Sequence, residues 1–270
     1  VAAASFNLPA IGRASKSEIY KLRAGVANAN LIGDGTSSEN CWLYNASSPG
    51  PLLRRRKGEM LNVAVTNDLS IPTTVHWHGI RNVNEMDGVA DLTQPPIEPG
   101  EQFLYEVPLT ESGTYWYHAH TMGWEQVARG LYGPLIIDDD DDDPAVDHDF
   151  TLMIDDWRLT QDSQIDDASF GSLHDWSHAG RFGNWLTVNG MSDPALSAKP
   201  GARLRLRLIS AANARIFKIK IDGAVATIIA EDGAVCRAEQ IEVVTLAPGQ
   251  RADLIIDMDR DSIILQDVST

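Results

Sequence analysis

The chain has 270 residues, 43% of them hydrophobic, and sets 38 Asp and Glu against 22 Lys and Arg for a formal net charge of −16. That acidity excludes nucleic acid and anionic lipid surfaces as partners, and the apolar content excludes intrinsic disorder. No apolar run approaches the ~20 residues that a bilayer-crossing helix needs, so no membrane span is expected.

The length suits two domains of ordinary size. The chain opens on small residues, Val1-Ala2-Ala3-Ala4-Ser5, which fits the tail of a cleaved export signal and equally a trimmed chain. Short β-type runs punctuated by Gly, Pro, Asn and Asp follow at 61–66, 73–78, 102–107, 114–120 and 135–137. More come at 150–154, 185–188, 203–209, 216–221, 225–230, 241–246 and 252–256. Alternation is plainest in Arg203-Leu204-Arg205-Leu206-Arg207-Leu208, where a period of two turns the leucines to a core and the arginines to water. Phe217-Lys218-Ile219-Lys220-Ile221 repeats the pattern. Many short strands and no long helical period predict an all-β chain of antiparallel sandwiches.

An unbroken acidic run, Asp138 to Asp143, precedes Pro144. Like charges this dense resist burial, so the run reads as a solvated linker between a domain at 1–140 and another at 141–270. It lacks the spacing and glycine of an EF-hand calcium loop. Arg54-Arg55-Arg56-Lys57 reads as a solvated turn. The two cysteines, Cys41 and Cys236, allow one disulfide or none, and neither belongs to a CxxC pair.

Four of the seven histidines form two His-x-His pairs, His76-Trp77-His78 and His118-Ala119-His120. Residues i and i+2 of a strand share a face, so each pair projects two imidazoles together while Trp77 and Ala119 turn away. If the two strands are neighbours, four imidazoles converge. Imidazole suits copper, zinc, iron and nickel alike, so the pattern predicts a transition metal without selecting one. A single pair reads better as ordinary strand-end histidines; two pairs favour a metal. His148 falls in the acidic stretch. His174 and His178, at i and i+4, can share a helical face, but their polar surroundings read as a surface loop. Asp87-Gly88 reads as a turn, and Trp116, Tyr117, Trp124 and Trp157 as core or interface packing.

Thr74-Val75-His76-Trp77-His78-Gly79-Ile80 and Gly113-Thr114-Tyr115-Trp116-Tyr117-His118-Ala119-His120 resemble the first two copper motifs of the multicopper oxidases. Met86-Asp87-Gly88-Val89, Thr93-Gln94-Pro95-Pro96-Ile97 and Gly130-Leu131-Tyr132-Gly133-Pro134 extend the likeness. Val188-Asn189-Gly190 and Pro248-Gly249-Gln250-Arg251-Ala252-Asp253 are similar to the family's middle domain. The resemblance implies two cupredoxin-like Greek-key β-sandwich domains. It implies His76 as a ligand of a type 2 copper, His78 and His118 as ligands of one type 3 copper, and His120 as a ligand of the other. It also implies that Asp87 delivers protons to a cluster that reduces dioxygen.

The same resemblance implies what is missing. Type 1 copper in this family needs a His-Cys-His segment, whereas Cys41 lies between Asn40 and Trp42, and Cys236 between Val235 and Arg237. The remaining cluster ligands are expected from a further cupredoxin domain. The expected partners are then dioxygen and a small reducing substrate, in a periplasmic or extracellular setting. Two alternatives stay open: a non-enzymatic copper-binding or resistance protein, and a copper-free structural relative.

Overall fold

The computed structural model describes residues 18–139, 143–260 and 262–269. The small-residue start and the middle of the acidic run lie outside the described residues.

The first half folds as two facing four-stranded sheets. One has the order β2 (Ser38–Tyr44), β1 (Ile19–Ala29), β4 (Met60–Asn67), β6 (Gln102–Pro108); the other runs β3 (Leu53–Arg56), β8 (Tyr132–Asp138), β7 (Gly113–Ala119), β5 (Val75–His78). Period-two patterning sets what each face does. In β4, Leu61, Val63 and Val65 are fully buried in the space between the sheets. There they meet Val75 and Trp77 of β5 and Tyr115, Tyr117 and Ala119 of β7. Each fully buried aliphatic side chain adds roughly 1.5–3 kcal/mol of hydrophobic stabilisation.

The second half places a six-stranded sheet, β10 (Trp185–Val188), β9 (His148–Trp157), β11 (Arg203–Ser210), β16 (Arg251–Asp257), β13 (Ala226–Glu231), β14 (Ala234–Ile241), over a three-stranded one, β15 (Val243–Leu246), β12 (Phe217–Asp222), β17 (Ile264–Asp267). Phe217, Ile219 and Ile221 of β12 point into the second core, as their alternation predicts. A third apolar cluster joins the halves: Leu31, Cys41, Leu43, Trp116 and Tyr132 pack against Met153, Trp157, Leu159 and Ile209.

The all-β expectation holds, but the pairing is mixed. β1 runs parallel to β4, β3 to β8, and β9 to β11. A strand that returns through a crossover comes back beside its neighbour in the same direction, and alternation along one strand carries no sign of this.

Two expectations about charge are overturned. Arg205 and Arg207 do not face water; they are 5% and 1% exposed. The outer face of β11 lies against the first sandwich and acidic side chains. Arg207 donates to both oxygens of Asp149 (2.7 and 3.0 Å) and to Thr114 Oγ1 (3.1 Å). Arg205 pairs with Asp253 at 2.7 Å and with Asp143. Nor are the acidic and basic runs simply solvated. Arg54–Arg56 belong to strand β3, Arg54 bridges Asp138 and Asp149, and Lys57 binds Asp139 at 2.8 Å. Dense like charge becomes tolerable at a boundary when the opposite charge is supplied from strands on both sides.

Both cysteines are unbonded, Cys41 within the joining cluster and Cys236 on β14. Among the described residues no helix is long and apolar enough to cross a membrane.

Candidate metal centre

Strands β5 and β7 are hydrogen-bonded neighbours in antiparallel register, with His76 opposite His118 and His78 opposite Trp116. Because Val75, Trp77, Tyr117 and Ala119 fill the first core, the residues between them turn to the opposite face. His76 therefore meets the rings of His78, His118 and His120 at centroid distances of 5.8, 5.4 and 5.3 Å. One ring nitrogen from each of His76, His78 and His118 lies within 4.8 Å of the other two. His120 sits just past the end of β7, exposed, with its ring 6.1 Å from that of His118.

The surroundings fix which nitrogens face inward. His76 Nδ1 lies 2.8 Å from the carbonyl oxygen of Asp87, and His118 Nδ1 lies 2.9 Å from that of Ala119. A carbonyl only accepts, so both Nδ1 atoms carry the proton and both Nε2 lone pairs are left for a ligand. His78 presents the other nitrogen: its Nδ1 is 3.3 Å from His118 Nε2. Trp116 covers this pair, with its ring 4.3 Å from His118 and 5.1 Å from His78. The Asp87 carboxylate stands 3.5 Å from His76 Nδ1.

Burial drives the histidine pKa values down, to about 3 at His118 and about 4 at His78, where Arg251 adds repulsion; His76 is lowered as well, chiefly by burial. Near neutral pH the three imidazoles are unprotonated, the form that binds metal. Neutral, inward-facing, mutually adjacent imidazoles fit a first-row transition ion, and copper(II) binds such donors most tightly. The carboxylate-rich environment that calcium or magnesium wants is absent from this cluster.

The second sandwich reaches the site through a loop whose role the sequence did not disclose. A Cβ at Gly249 would lie 3.0 Å from His78 Cε1. Arg251 donates to the Thr114 and Asp232 carbonyls, so its guanidinium ties the two halves together beside β7. In sequence the stretch at 248–253 shows only its family resemblance; its approach to His78 depends on tertiary packing. Of the four aromatics read as packing, Trp116, Tyr117 and Trp157 are buried, whereas Trp124 is 39% exposed and lines a cavity of about 870 Å³ in front of the histidines.

A family model described as multicopper oxidase matches residues 26–142, and a second with the same description matches 148–263. The chain is 34% identical over 268 residues to Laccase-2 of Thanatephorus cucumeris, covering 87% of this chain and 43% of that protein. It is 28% identical to copper resistance protein A of Pseudomonas syringae pv. tomato, covering 92% of this chain and 47% of that one. Among solved structures, a multi-copper oxidase from Pseudomonas thermotolerans superposes with a TM-score of 0.87 at 32% identity, over 92% of this chain and 60% of the other. The blue copper oxidase of Nitrosomonas europaea gives 0.80 at 30%, over 93% and 79%. The chain spans a little under half the length of the curated relatives it matches.

Proposed function

This chain belongs to the multicopper oxidase family, and from that premise we propose that it supplies one half of an oxygen-reducing copper cluster whose other half comes from a further cupredoxin domain. The observation that carries the reading is the convergence of His76, His78 and His118 within 4.8 Å, on one face of one sheet. In this assignment His76 holds a type 2 copper, His78 and His118 share one type 3 copper, and His120 reaches toward the other. Bound copper would supply the redox chemistry: single-electron oxidation of a small reductant coupled to four-electron reduction of dioxygen to water.

The chain's own residues have separate duties. The Asp87 carbonyl holds the His76 proton on Nδ1 and so presents Nε2. Trp116 packs on His78 and His118 and shields them from water. The Asp87 carboxylate, 31% exposed at its side chain, is placed to pass protons toward the histidine face. Neither cysteine stands near a histidine pair in sequence, so a thiolate-bound type 1 copper must be held by other residues than these. The separate cores of the two sandwiches support a division into domains at 1–140 and 141–270. We further propose that the protein acts after export, in the periplasm or outside the cell.

Copper loading followed by metal analysis tests the reading. The wild-type chain should retain copper without an intense blue thiolate band, and a His76→Ala/His118→Ala variant should lose it. Turnover with a phenolic reductant should appear only when a cupredoxin domain bearing His-Cys-His is supplied. No retained copper at micromolar excess would overturn the proposal, and a strong blue band from this chain alone would contradict its ligand assignment.

A further inference from the structure

Of the three clustered imidazoles, His78 is the one that no carbonyl fixes. His76 and His118 each have a main-chain oxygen on Nδ1. Among the described residues the hydrogen-bonding partner of His78 is His118 Nε2, 3.3 Å from its Nδ1. His118 already carries its proton on Nδ1, so this contact needs a proton on His78 Nδ1 in the metal-free chain. The torsion that turns an imidazole is broad and roughly two-fold, so the ring needs packing to keep that orientation. The second sandwich supplies it. Gln250 N–H donates to the Ala247 carbonyl at 3.0 Å, with Pro248 second and Gly249 third at a φ of +79°, the pattern of a type II turn. This turn faces the ring: a Cβ on Gly249 would lie 3.0 Å from His78 Cε1 and 3.3 Å from Nε2. Arg251, 4% exposed, holds the turn in place. Its Nη1 donates to the Gly249 carbonyl at 3.1 Å, its Nε to that of Thr114 at 3.2 Å, and its Nη2 to that of Asp232 at 2.8 Å. The same guanidinium lies against Gly79, the residue after His78, where a Cβ would collide with Nη2.

We propose that Arg251 is a positioning residue for His78: through the Gly249 turn and the backbone at Gly79 it keeps the Nε2 edge of the ring against the second sandwich, so that Nδ1 alone is offered to the cluster. On this account the second sandwich contributes no ligand, yet it decides which nitrogen one ligand presents. A simple tie between the sandwiches would not need contacts at both the ring and the following residue. Arg54 makes such a tie, bridging to Asp149 from β3, at the opposite edge of the sheet from β5. The placement of the ring stands on this geometry; its use in holding copper rests on the reading above.

Long-range proton–nitrogen correlation spectra of the imidazole rings test this on the isotope-labelled full chain near neutral pH. They are recorded metal-free and then with Zn²⁺, a diamagnetic ion that takes the same imidazole donors. Metal-free wild type should show His78 as a single tautomer protonated on Nδ1. Zn²⁺ should then shift Nδ1 of His78 but Nε2 of His76 and His118. Arg251→Met should give mixed His78 tautomers and bind Zn²⁺ about tenfold more weakly, while the His76 tautomer stays unchanged. Gly249→Ala, which keeps the guanidinium but presses a methyl on the ring, should disturb His78 in the same way. Arg54→Met should leave all three rings as in wild type. A single Nδ1-protonated His78 in both Arg251→Met and Gly249→Ala, or an equal disturbance in Arg54→Met, would overturn the assignment. If no ring of the wild-type chain responds to Zn²⁺, the copper reading falls, and the metal-free tautomers still decide the role of Arg251.

Discussion

The Nδ1 of His76 sits 2.8 Å from the main-chain oxygen of Asp87, and the chain reaches that position only because the next residue is Gly88. Gly88 has a φ of +78°, and a Cβ there would lie 1.8 Å from the carbonyl oxygen of Val75. The loop thus lies against β5 closely enough to set the ring of the histidine one residue further on. Gly88→Ala should cost about 2–3 kcal/mol from the left-handed backbone and the forced shift together. It should also weaken copper binding about 10–100-fold, the usual effect of losing the partner that orients a ligating histidine. Urea unfolding and copper affinity measured on the same sample check both. Unchanged affinity in a destabilised Gly88→Ala protein would show that the Asp87 carbonyl does not set the ligand.

Arg207 is buried between the two sandwiches, where Asp149, Thr114 and, at 3.6 Å, Asp253 surround it. Arg207→Met removes the cation and leaves buried carboxylates short of a partner, which should cost about 3–5 kcal/mol. Arg203, on the same face of β11 but 49% exposed at its side chain, pairs with Asp257 near solvent. Arg203→Met should stay within about 0.5 kcal/mol of wild type. Chemical denaturation of both variants decides the matter: equal losses would mean that the inter-sandwich arginine is not an anchor.

These arginines mark where the sequence stops being legible. Alternation in β11 identified the strand and its leucine face correctly, since period two is a property of the local backbone. It assigned the arginine face to water because nothing local reports that a second sandwich lies on it. The His-x-His pairs were legible for the opposite reason: the same period two that buries Val75 and Trp77 must expose His76 and His78 together. Which nitrogen each ring presents was not legible, because it depends on which carbonyl meets each Nδ1: that of Asp87, brought in by a loop, for His76, and that of the adjacent Ala119 for His118. His174 and His178 read as a loop in sequence, whereas the structure places His174 on a short helix, Leu173–Ser177, and His178 just past its end.

Acid should destabilise the metal-free chain through His78 and His118. Their folded values, about 4 and about 3, lie below the ordinary 6.5, so in the window between them the unfolded chain binds more protons than the folded one. Their contribution is full above pH 6.5 and is lost as the pH falls from there toward 4 and 3. Protons compete with metal over the same range, so copper retention should decline with it. His118→Gln should flatten the dependence of the unfolding free energy between pH 6.5 and 4.5 in the presence of a chelator. A slope as steep as that of wild type would assign the acid sensitivity elsewhere.

Asp155 acts with the opposite sign and in a different window. It is buried at the junction of the sandwiches, where it accepts hydrogen bonds from the Tyr132 hydroxyl at 2.7 Å and the Asp156 amide at 2.8 Å. Burial, followed by the charge of neighbouring Asp156, pushes its carboxyl up to about 8. The folded chain therefore holds a proton there that the unfolded chain releases near 3.8. This contribution is complete below pH 3.8 and is lost progressively until the pH passes 8. Between pH 4 and 6.5 it opposes the histidine effect, but above 6.5 the histidines no longer titrate in either state and Asp155 acts without their opposition. From pH 6.5 to 8 its contribution to the slope should approach about 1.4 kcal/mol lost per pH unit. Asp155→Asn keeps an acceptor for the Asp156 amide, and its amide can donate to the Tyr132 oxygen, so the variant should match wild type near pH 4, exceed it by pH 6 and exceed it further at pH 8. Urea midpoints across that range measure the difference, and parallel curves for the two proteins would remove Asp155 from the account.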